Sequence, residues 1–350
     1  PEIDQMLCSG VNHVYFHGAP YSPKGVDFPG WLFYASINVS PTNSMWQDAS
    51  GLFDYITRVQ SFLTAGSPDA DFLLYFPLDD ILHRQDGNPY LMFDIHKMQQ
   101  RMPDIKQSVT DVVNAGYDLD YVSDSLLSVL NVRPDGTIGS KGDTRHRAVI
   151  VPSVKMMQPQ SLKRLLDLAR EGATVIFAGS LPADVPGLGH LDARRESFGK
   201  IAAELPDFTV TPSVHQFGKG KLIYAPTVTE GLAMTGVTPE PGREAGLSMI
   251  RRRNEAGGHN YFMSLLCDRT VDGWIDLAVP AGSAMIFDPL TGRKGKAQMR
   301  ATADGNASVR LQVRPGESLL LKTFPGDVTA ESWKYVESKG TPVVLAEGWT

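Results

Sequence analysis

Cysteine is scarce in this sequence. Only Cys8 and Cys267 occur, far apart and outside any Cys-x-x-Cys spacing, so neither a zinc site nor a disulfide-dependent scaffold is indicated. Buried free thiols are the simpler interpretation. Long hydrophobic runs are missing too, because no apolar stretch reaches the roughly 20 residues of a membrane-spanning helix. The sequence therefore predicts no membrane span.

A surplus of basic residues is also absent. Lysine and arginine number 33 against 39 acidic residues, which gives a net charge of -6 and a pI near 5.8. Domains that bind nucleic acid normally carry a basic surface, so we expect no nucleic-acid partner. The short basic runs at 251–253 and 293–296 are better explained as solvated turns or helix ends than as phosphate-binding patches.

The glycine fingerprint of dinucleotide-binding proteins does not occur either. The clearest strand–helix–strand pattern has strands at 148–152 and 174–178 and a helix at 160–170. No Gly-x-Gly-x-x-Gly follows its first strand, so a nucleotide-dependent enzyme is disfavoured. The pattern itself predicts an open parallel sheet of Rossmann or flavodoxin type, and we assign residues 108–258 to this α/β domain.

The chain has 350 residues, which is too long for one typical domain. A helix at 52–65 separates apolar runs at 11–16 and 72–76, and both runs end in polar groups. This rhythm is typical of a (β/α)8 barrel, but two strands cannot close one. Residues 1–107 are therefore predicted to be the C-terminal part of a barrel, and a non-Met start at Pro1 suggests an internal piece of a longer protein.

Short alternating strands follow residue 258. They are predicted at 260–266, 273–279, 284–288, 307–313 and 318–323, separated by glycine-containing turns. This pattern indicates a β-sandwich over residues 259–325. Residues 326–350, which include a strand-like run at 341–345, are predicted to begin a further, truncated domain. The expected fold class is thus multidomain α/β: a partial barrel, an α/β sheet domain and a β-sandwich.

The stretch from residue 10 to residue 48 carries the chemistry of a carbohydrate site. It is dense in aromatic, amide and imidazole side chains. Sugars present apolar C–H faces that stack on rings, and hydroxyls that need directional partners. A packed aromatic loop without a ligand is an equally good interpretation of these residues alone.

Several runs resemble the α-L-rhamnosidases of glycoside hydrolase family 106. They begin with DQMLCSGVNHVYFHGAPYSP, PGWLFYASINVSPTNSMWQD and YITRVQSFLTAGSPDADFLLYFP. YDLDYVSD, AVIVPSVKMM and GATVIFAGSLPADVPG look like that family's α/β domain, and AMIFDPLTGR and LQVRPGESLLLKT like its β-sandwich. The resemblance covers nearly the whole chain in the right order, and the first hundred residues are its most specific part.

The resemblance implies a large multidomain glycosidase with a central barrel. It implies hydrolysis of terminal α-L-rhamnosyl linkages of glycans with inversion, by two carboxylates, with a calcium ion that helps bind the sugar. It also implies a periplasmic or secreted protein with an oligosaccharide or glycoside as partner. The acid and base glutamates are expected upstream of Pro1, because Glu2 is the only glutamate of the barrel part. We expect Glu2 to be a solvated helix residue.

The resemblance and the strand-end position together nominate substrate contacts, with plain structural roles as the alternative. His17, in a His-Gly that matches the family's, is the first candidate for binding the sugar. The candidates for stacking or hydrogen bonding beside it are Tyr21, Trp31, Trp46 and Asn43, with Asn12 as a further amide. His13 is expected in the core. Asp79 and Asp80 follow a strand and could bind sugar or metal, or simply cap.

A non-enzymatic reading remains open. The chain could be a carbohydrate-binding or assembly module, with its α/β and sandwich domains docked on partners. The two readings differ in where sugar binds: at the sandwich, or at a pocket that needs His17 and Trp46.

Overall fold

The computed structural model describes residues 1–83, 102–140, 142–337 and 340. Its helices are α1 Glu2–Cys8, α2 Ala49–Leu63, α3 Leu78–His83, α4 Pro103–Asn114, α5 Asp124–Leu127, α6 Pro159–Glu171, α7 Leu191–Ala202 and α8 Val228–Ala233, with single 3-10 turns at Trp46–Asp48 and Pro241–Arg243. Its first nine strands are β1 Ser67–Pro68, β2 Phe72–Tyr75, β3 Leu119–Val122, β4 Asn131–Val132, β5 Ile138–Gly139, β6 Ala148–Val151, β7 Thr174–Ala178, β8 Ser213–Phe217 and β9 Gly220–Ala225. The remaining strands are β10 Leu247–Arg253, β11 His259–Leu265, β12 Val271–Asp276, β13 Ser283–Phe287, β14 Lys294–Lys296, β15 Met299–Ala301, β16 Ala307–Val313 and β17 Ser318–Phe324.

The parallel sheet runs in the order β3-β2-β6-β7-β9-β8. Five strands are parallel, and only the edge strand β8 is antiparallel to its neighbour. Both β2 and β6 are buried along their whole length, as expected for a sheet covered on both faces. The predicted strand, helix and strand over 148–178 are confirmed by β6, α6 and β7.

The two runs predicted as barrel strands behave differently. Residues 11–16 form no strand: the Val11 amide donates to the Met6 carbonyl at 3.1 Å, and the Val14 amide to the Gln60 side chain at 2.5 Å. The run at 72–76 does form a strand, but Leu73 pairs with Asp120 of β3 and Val149 of β6, so it belongs to the parallel sheet. A short apolar run marks a buried strand without encoding its neighbour. The described residues form no closed barrel.

The β-sandwich has one sheet in the order β1-β10-β11-β17-β13-β14 and a second in the order β12-β16-β15. All five predicted strands are confirmed, with bounds shifted by a few residues. The strand β10, which the predicted boundary at 258 left in the α/β domain, pairs with β11 through a tight hairpin. The basic run at 251–253 therefore lies in a strand, and the expectation of a turn or helix end there is wrong. Three residues of the second run, Lys294–Lys296, form β14, so the same expectation is wrong there as well.

Helices α1 and α2 cover the face of the larger sandwich sheet that points away from the smaller sheet. Their buried residues pack against Phe262 of β11 and Leu320 of β17. Asp4 of α1 is 4% exposed and accepts a hydrogen bond from the Ser264 hydroxyl at 3.1 Å. A sheet with both faces covered explains why β11 is buried at nearly every position rather than at alternate ones.

Residues 326–337 lie against the sandwich. The Trp333 amide donates to the Lys296 carbonyl at 2.8 Å, and the Tyr335 hydroxyl donates to the Arg310 carbonyl at 3.0 Å. The strand-like run predicted at 341–345 lies outside the described residues.

Candidate functional site in the aromatic loop

The loop from residue 11 to residue 45 contains no helix or strand, yet it is held by specific bonds. The Ile37 amide donates to the His17 carbonyl at 3.0 Å. The Gly18 carbonyl accepts from the Ser36 hydroxyl at 2.8 Å and from the Val39 amide at 3.3 Å. The two halves of the loop are thereby joined near its base, and Asn38 at the crossing has a φ of 53°, a conformation that asparagine tolerates better than most residues.

This loop, which we call the aromatic loop, and the start of α2 surround a cavity of about 530 Å³. We refer to it as the aromatic-loop cavity. Its walls are mostly apolar and are formed by Phe16, Ile37, Val39, Asn43, Met45, Trp46, Asp48, Ala49, Leu52 and Phe53. An apolar pocket of this size with a few polar groups is the usual form of a small-ligand site. Trp46 is 40% exposed, so part of its ring is open to a stacking partner.

Two of the five candidate substrate contacts, Asn43 and Trp46, line this cavity. The Asn43 amide nitrogen donates to the Asn38 carbonyl at 3.2 Å, and its oxygen accepts from the Met45 amide at 2.8 Å. One N–H of Asn43 is left for a ligand. The residue therefore fixes the turn before Trp46 as well as lining the cavity.

The other three candidates lie outside the cavity lining. His17 is exposed and touches Phe33 edge-on, with ring centroids 6.2 Å apart. Tyr21 and Trp31 are 80% and 58% exposed. A role for these residues in sugar binding stays a prediction.

The expectation for His13 is wrong. It is exposed and stacks on Tyr15, with ring centroids 4.5 Å apart and planes 7° from parallel. The predicted core position depended on a strand at 11–16 that does not form. Asn12, the further amide candidate, lines a different cleft beside α1.

Of the carboxylates considered for catalysis or metal binding, one is exposed on a helix and two are hydrogen-bonded to other parts of the protein. Glu2 is exposed in the first turn of α1. Asp80 accepts from the backbone amides of Lys155 and Met156, both at 2.8 Å, and Asp79 accepts from the Gln158 side chain at 2.7 Å. These bonds tie the end of β2 to the loop after β6, which supports the structural interpretation of both aspartates.

Sequence reasoning missed Asp48, Leu52 and Phe53 as lining residues. Asp48 is exposed at the N-terminus of α2, and no bond to its side chain is seen in the described part of the chain. Leu52 is 37% exposed although its helix is amphipathic. An apolar residue just off the buried stripe of a helix was the available signal for a second apolar surface there.

No group of three or more His, Cys, Asp or Glu side chains arranged to hold a metal ion occurs in the described ranges. None of the helices described in these ranges is long and apolar enough to cross a membrane.

The chain is similar to known proteins over most of its length. A relative from Formosa agariphila, provisionally named a beta-glucuronidase, is 28% identical over 188 residues, which are 53% of this chain and 14% of the relative. A rhamnosidase structure from Novosphingobium sp. PP1Y covers 96% of this chain with a TM-score of 0.69 and 18% identity, and this match is 30% of that chain. The chain thus spans less than a third of either protein.

A third similarity is weaker. The crystal structure of a beta-galactosidase from Bacillus circulans sp. alkalophilus matches 80% of this chain and 45% of its own length at 11% identity, with a TM-score of 0.46. By contrast, the family model for alpha-L-rhamnosidase matches residues 1–301. The chain belongs to the alpha-L-rhamnosidase family, glycoside hydrolase family 106.

Proposed function

We propose that this chain is part of a glycosidase that removes terminal α-L-rhamnosyl units from glycans. The observation that carries the proposal is the aromatic-loop cavity, in which a partly exposed Trp46 ring stands beside Asn43 and Asp48 in a member of this family. The indole face suits the apolar C–H face of a deoxysugar, while the amide and the carboxylate suit its hydroxyls.

The role proposed for the cavity is to hold the sugar, not to transfer protons. Inversion needs two carboxyl groups about 6.5–9.5 Å apart, one to protonate the leaving oxygen and one to activate water. Asp48 is the only acidic residue in this cavity lining, and Asp79 and Asp80 accept bonds from the protein itself. We propose, as the resemblance to the family implies, that the acid and base glutamates belong to a part of the protein outside this chain.

A calcium ion that helps bind the sugar stays a prediction, since no group of three or more His, Cys, Asp or Glu side chains in the described residues is arranged to hold it. No step is assigned to the ion. A periplasmic or secreted location is part of the same proposal and follows from the glycan substrate.

Two proteins should be compared: the product of the complete gene, and the 350-residue chain alone. We expect the former to hydrolyse an aryl α-L-rhamnoside with inversion, visible by NMR as the opposite anomer of released rhamnose. We expect the latter to bind L-rhamnose without turnover, and Trp46→Ala to abolish the binding at the aromatic-loop cavity. Turnover by the chain alone would overturn the placement of the carboxylates, and an inactive complete product would favour a binding module.

A further inference from the structure

A second cleft, of about 610 Å³, lies between α1, the edge strand β3 and strand β10. It shares no lining residue with the aromatic-loop cavity, and it is large enough for a small ligand. We call it the α1–β3 cleft. Polar residues from separate segments of the chain line it: Gln5, Asn12, Asp120 and Tyr121 are exposed, and Ser248 and Arg252 are half-buried.

Arg252 of β10 lines this cleft. Its neighbours Arg251 and Arg253 form ion pairs with carboxylates, among them Asp69. Arg252 instead donates from Nε to the Ala65 carbonyl and from Nη2 to the Gly66 carbonyl, both at 3.0 Å. Its Nη1 has no partner in the described ranges, so the guanidinium is held from behind and still offers N–H groups.

Asp120 is the matching acceptor. Its Oδ2 lies 2.9 Å from His146 Nε2, and half of its side chain is exposed. Over the same described ranges, no bond to Oδ1 and no ion pair with Arg252 is found. An anchored donor and an anchored acceptor thus line one cleft with no direct bond between them in the described ranges, an arrangement that suits neighbouring hydroxyl groups of one sugar ring.

Tyr121 adds an aromatic surface. Its side chain is 52% exposed, and its ring meets Phe76 edge-on, with centroids 6.0 Å apart and planes at 89°. That contact fixes the ring while a large part of it stays open for stacking. Asn12 and Gln5 contribute amides whose side chains make no bond in the described part of the chain.

The charges of the cleft balance. Its lining contains the three carboxylates of Asp69, Asp118 and Asp120 and the three guanidinium groups of Arg243, Arg251 and Arg252. A lining of this kind selects neither anions nor cations, but it offers many directional donors and acceptors. We propose that the α1–β3 cleft binds a neutral saccharide unit, at a site separate from the aromatic-loop cavity. The proposal rests on the cleft's own chemistry and not on the hydrolase function.

The test is ligand-observed NMR titration of the 350-residue chain with methyl α-L-rhamnoside, methyl β-D-galactoside and D-glucuronate. We expect a neutral probe to bind in the millimolar range, and Tyr121→Ala to weaken it about tenfold, equal to about 1.4 kcal/mol of stacking. Tyr121→Phe keeps the ring and should stay within about threefold by the same arithmetic. Arg252→Gln should also weaken binding, and Trp46→Ala should leave this site unchanged.

Circular dichroism melting of each variant checks the fold. If Tyr121→Ala does not fold, the effect of Arg252→Gln on binding tests the proposal instead. Three results would overturn the proposal: no saturable binding of either neutral probe, binding that only Trp46→Ala removes, or tighter binding of D-glucuronate than of both neutral sugars. Loss of the Trp46-dependent binding alone would count against the proposed function and leave the α1–β3 cleft standing.

Discussion

Arg251 and Glu240 form a buried ion pair, with Arg251 Nη1 2.7 Å from Glu240 Oε1. The same guanidinium lies 2.5 Å from Asp69 and 3.0 Å from Asp71, and Glu240 also accepts from the Tyr261 hydroxyl at 2.9 Å. Because Arg251 lies on β10 and Asp71 just before β2, one side chain joins the sandwich to the parallel sheet.

Arg251→Met should therefore destabilise the chain strongly. The substitution removes the positive charge and leaves three carboxylates facing each other in a poorly solvated space. Breaking a buried ion pair from one side typically costs about 3–5 kcal/mol. We expect the urea midpoint to fall accordingly when unfolding is followed by fluorescence and circular dichroism.

Arg269→Met is the matched control, because Arg269 is exposed and no ion pair to it is seen in the described residues. It should change the free energy of unfolding by less than about 0.5 kcal/mol. Equal midpoints for the two variants would show that Arg251 does not join the two sheets energetically.

Asp118, in the same region, should make the free energy of unfolding depend on pH. Burial raises the pKa of this carboxyl from 3.8 to about 6, against the opposing effect of Arg243 and with an additional rise from Asp71. The folded chain then holds the proton more tightly than the unfolded chain does. The associated stability is fully present below about pH 3.8 and is lost as the pH rises through about 6.

Asp118→Asn removes this titration. Between pH 4 and 6.5 the free energy of unfolding of the variant should fall less steeply with rising pH than that of the parent chain. The difference should amount to about 1–3 kcal/mol over the window, since one pKa unit corresponds to about 1.4 kcal/mol. Parallel curves from urea unfolding at several pH values would contradict the raised pKa.

The positions of the strands could be predicted from the sequence better than the pairing of those strands in the sheets. The β-sandwich strands and the unit β6-α6-β7 follow from local patterns of alternation, continuous burial and turn residues. The strands that pair with Phe72–Tyr75 could not be predicted in this way. They lie about 45 and 75 residues further along the chain, and a short apolar run does not encode which distant strand it pairs with. The strand predicted at 11–16 does not form for the same reason: a strand needs a neighbouring strand for its backbone hydrogen bonds, and a local pattern does not show whether one is there.

The site was predictable to a similar depth. The aromatic and amide residues pointed to a loop that does form a cavity, and Asn43 and Trp46 line it, although sugar binding there stays a prediction. Which ring faces the cavity is set by loop bonds such as Ser36 to Gly18. These bonds have no periodic signature in the sequence, so Tyr21 and Trp31 could not be separated from Trp46 in advance.

Cys8 should be an unreactive thiol. Burial, with a further contribution from Asp4, raises the pKa of Cys8 to about 12, and the thiolate is the form that reacts. In a Cys267→Ser background, iodoacetamide at pH 8 should label Cys8 about a thousandfold more slowly than an unfolded cysteine, in proportion to the thiolate fraction. Mass spectrometry with and without urea measures both rates. Similar rates in the two conditions would show that α1 does not stay packed on the sandwich.

Tyr55 and Asp4 provide the last prediction. The Tyr55 hydroxyl donates to Asp4 Oδ1 at 2.5 Å and lies 2.7 Å from the Ser318 hydroxyl. Burial and the bond to Asp4 raise the pKa of Tyr55, so it remains a donor at neutral pH. Tyr55→Phe leaves the buried Asp4 carboxylate short of one donor, which should cost about 1–3 kcal/mol of unfolding free energy.

The control is Tyr15→Phe, because Tyr15 is 82% exposed and should change stability by less than about 0.5 kcal/mol. A double-mutant cycle with Asp4→Ala then isolates the pair. We expect a coupling of about 0.5–3 kcal/mol, since residues that share a bond are not additive. Additive effects would mean that the Tyr55 hydroxyl stabilises the chain through Ser318 of β17 rather than through Asp4 of α1.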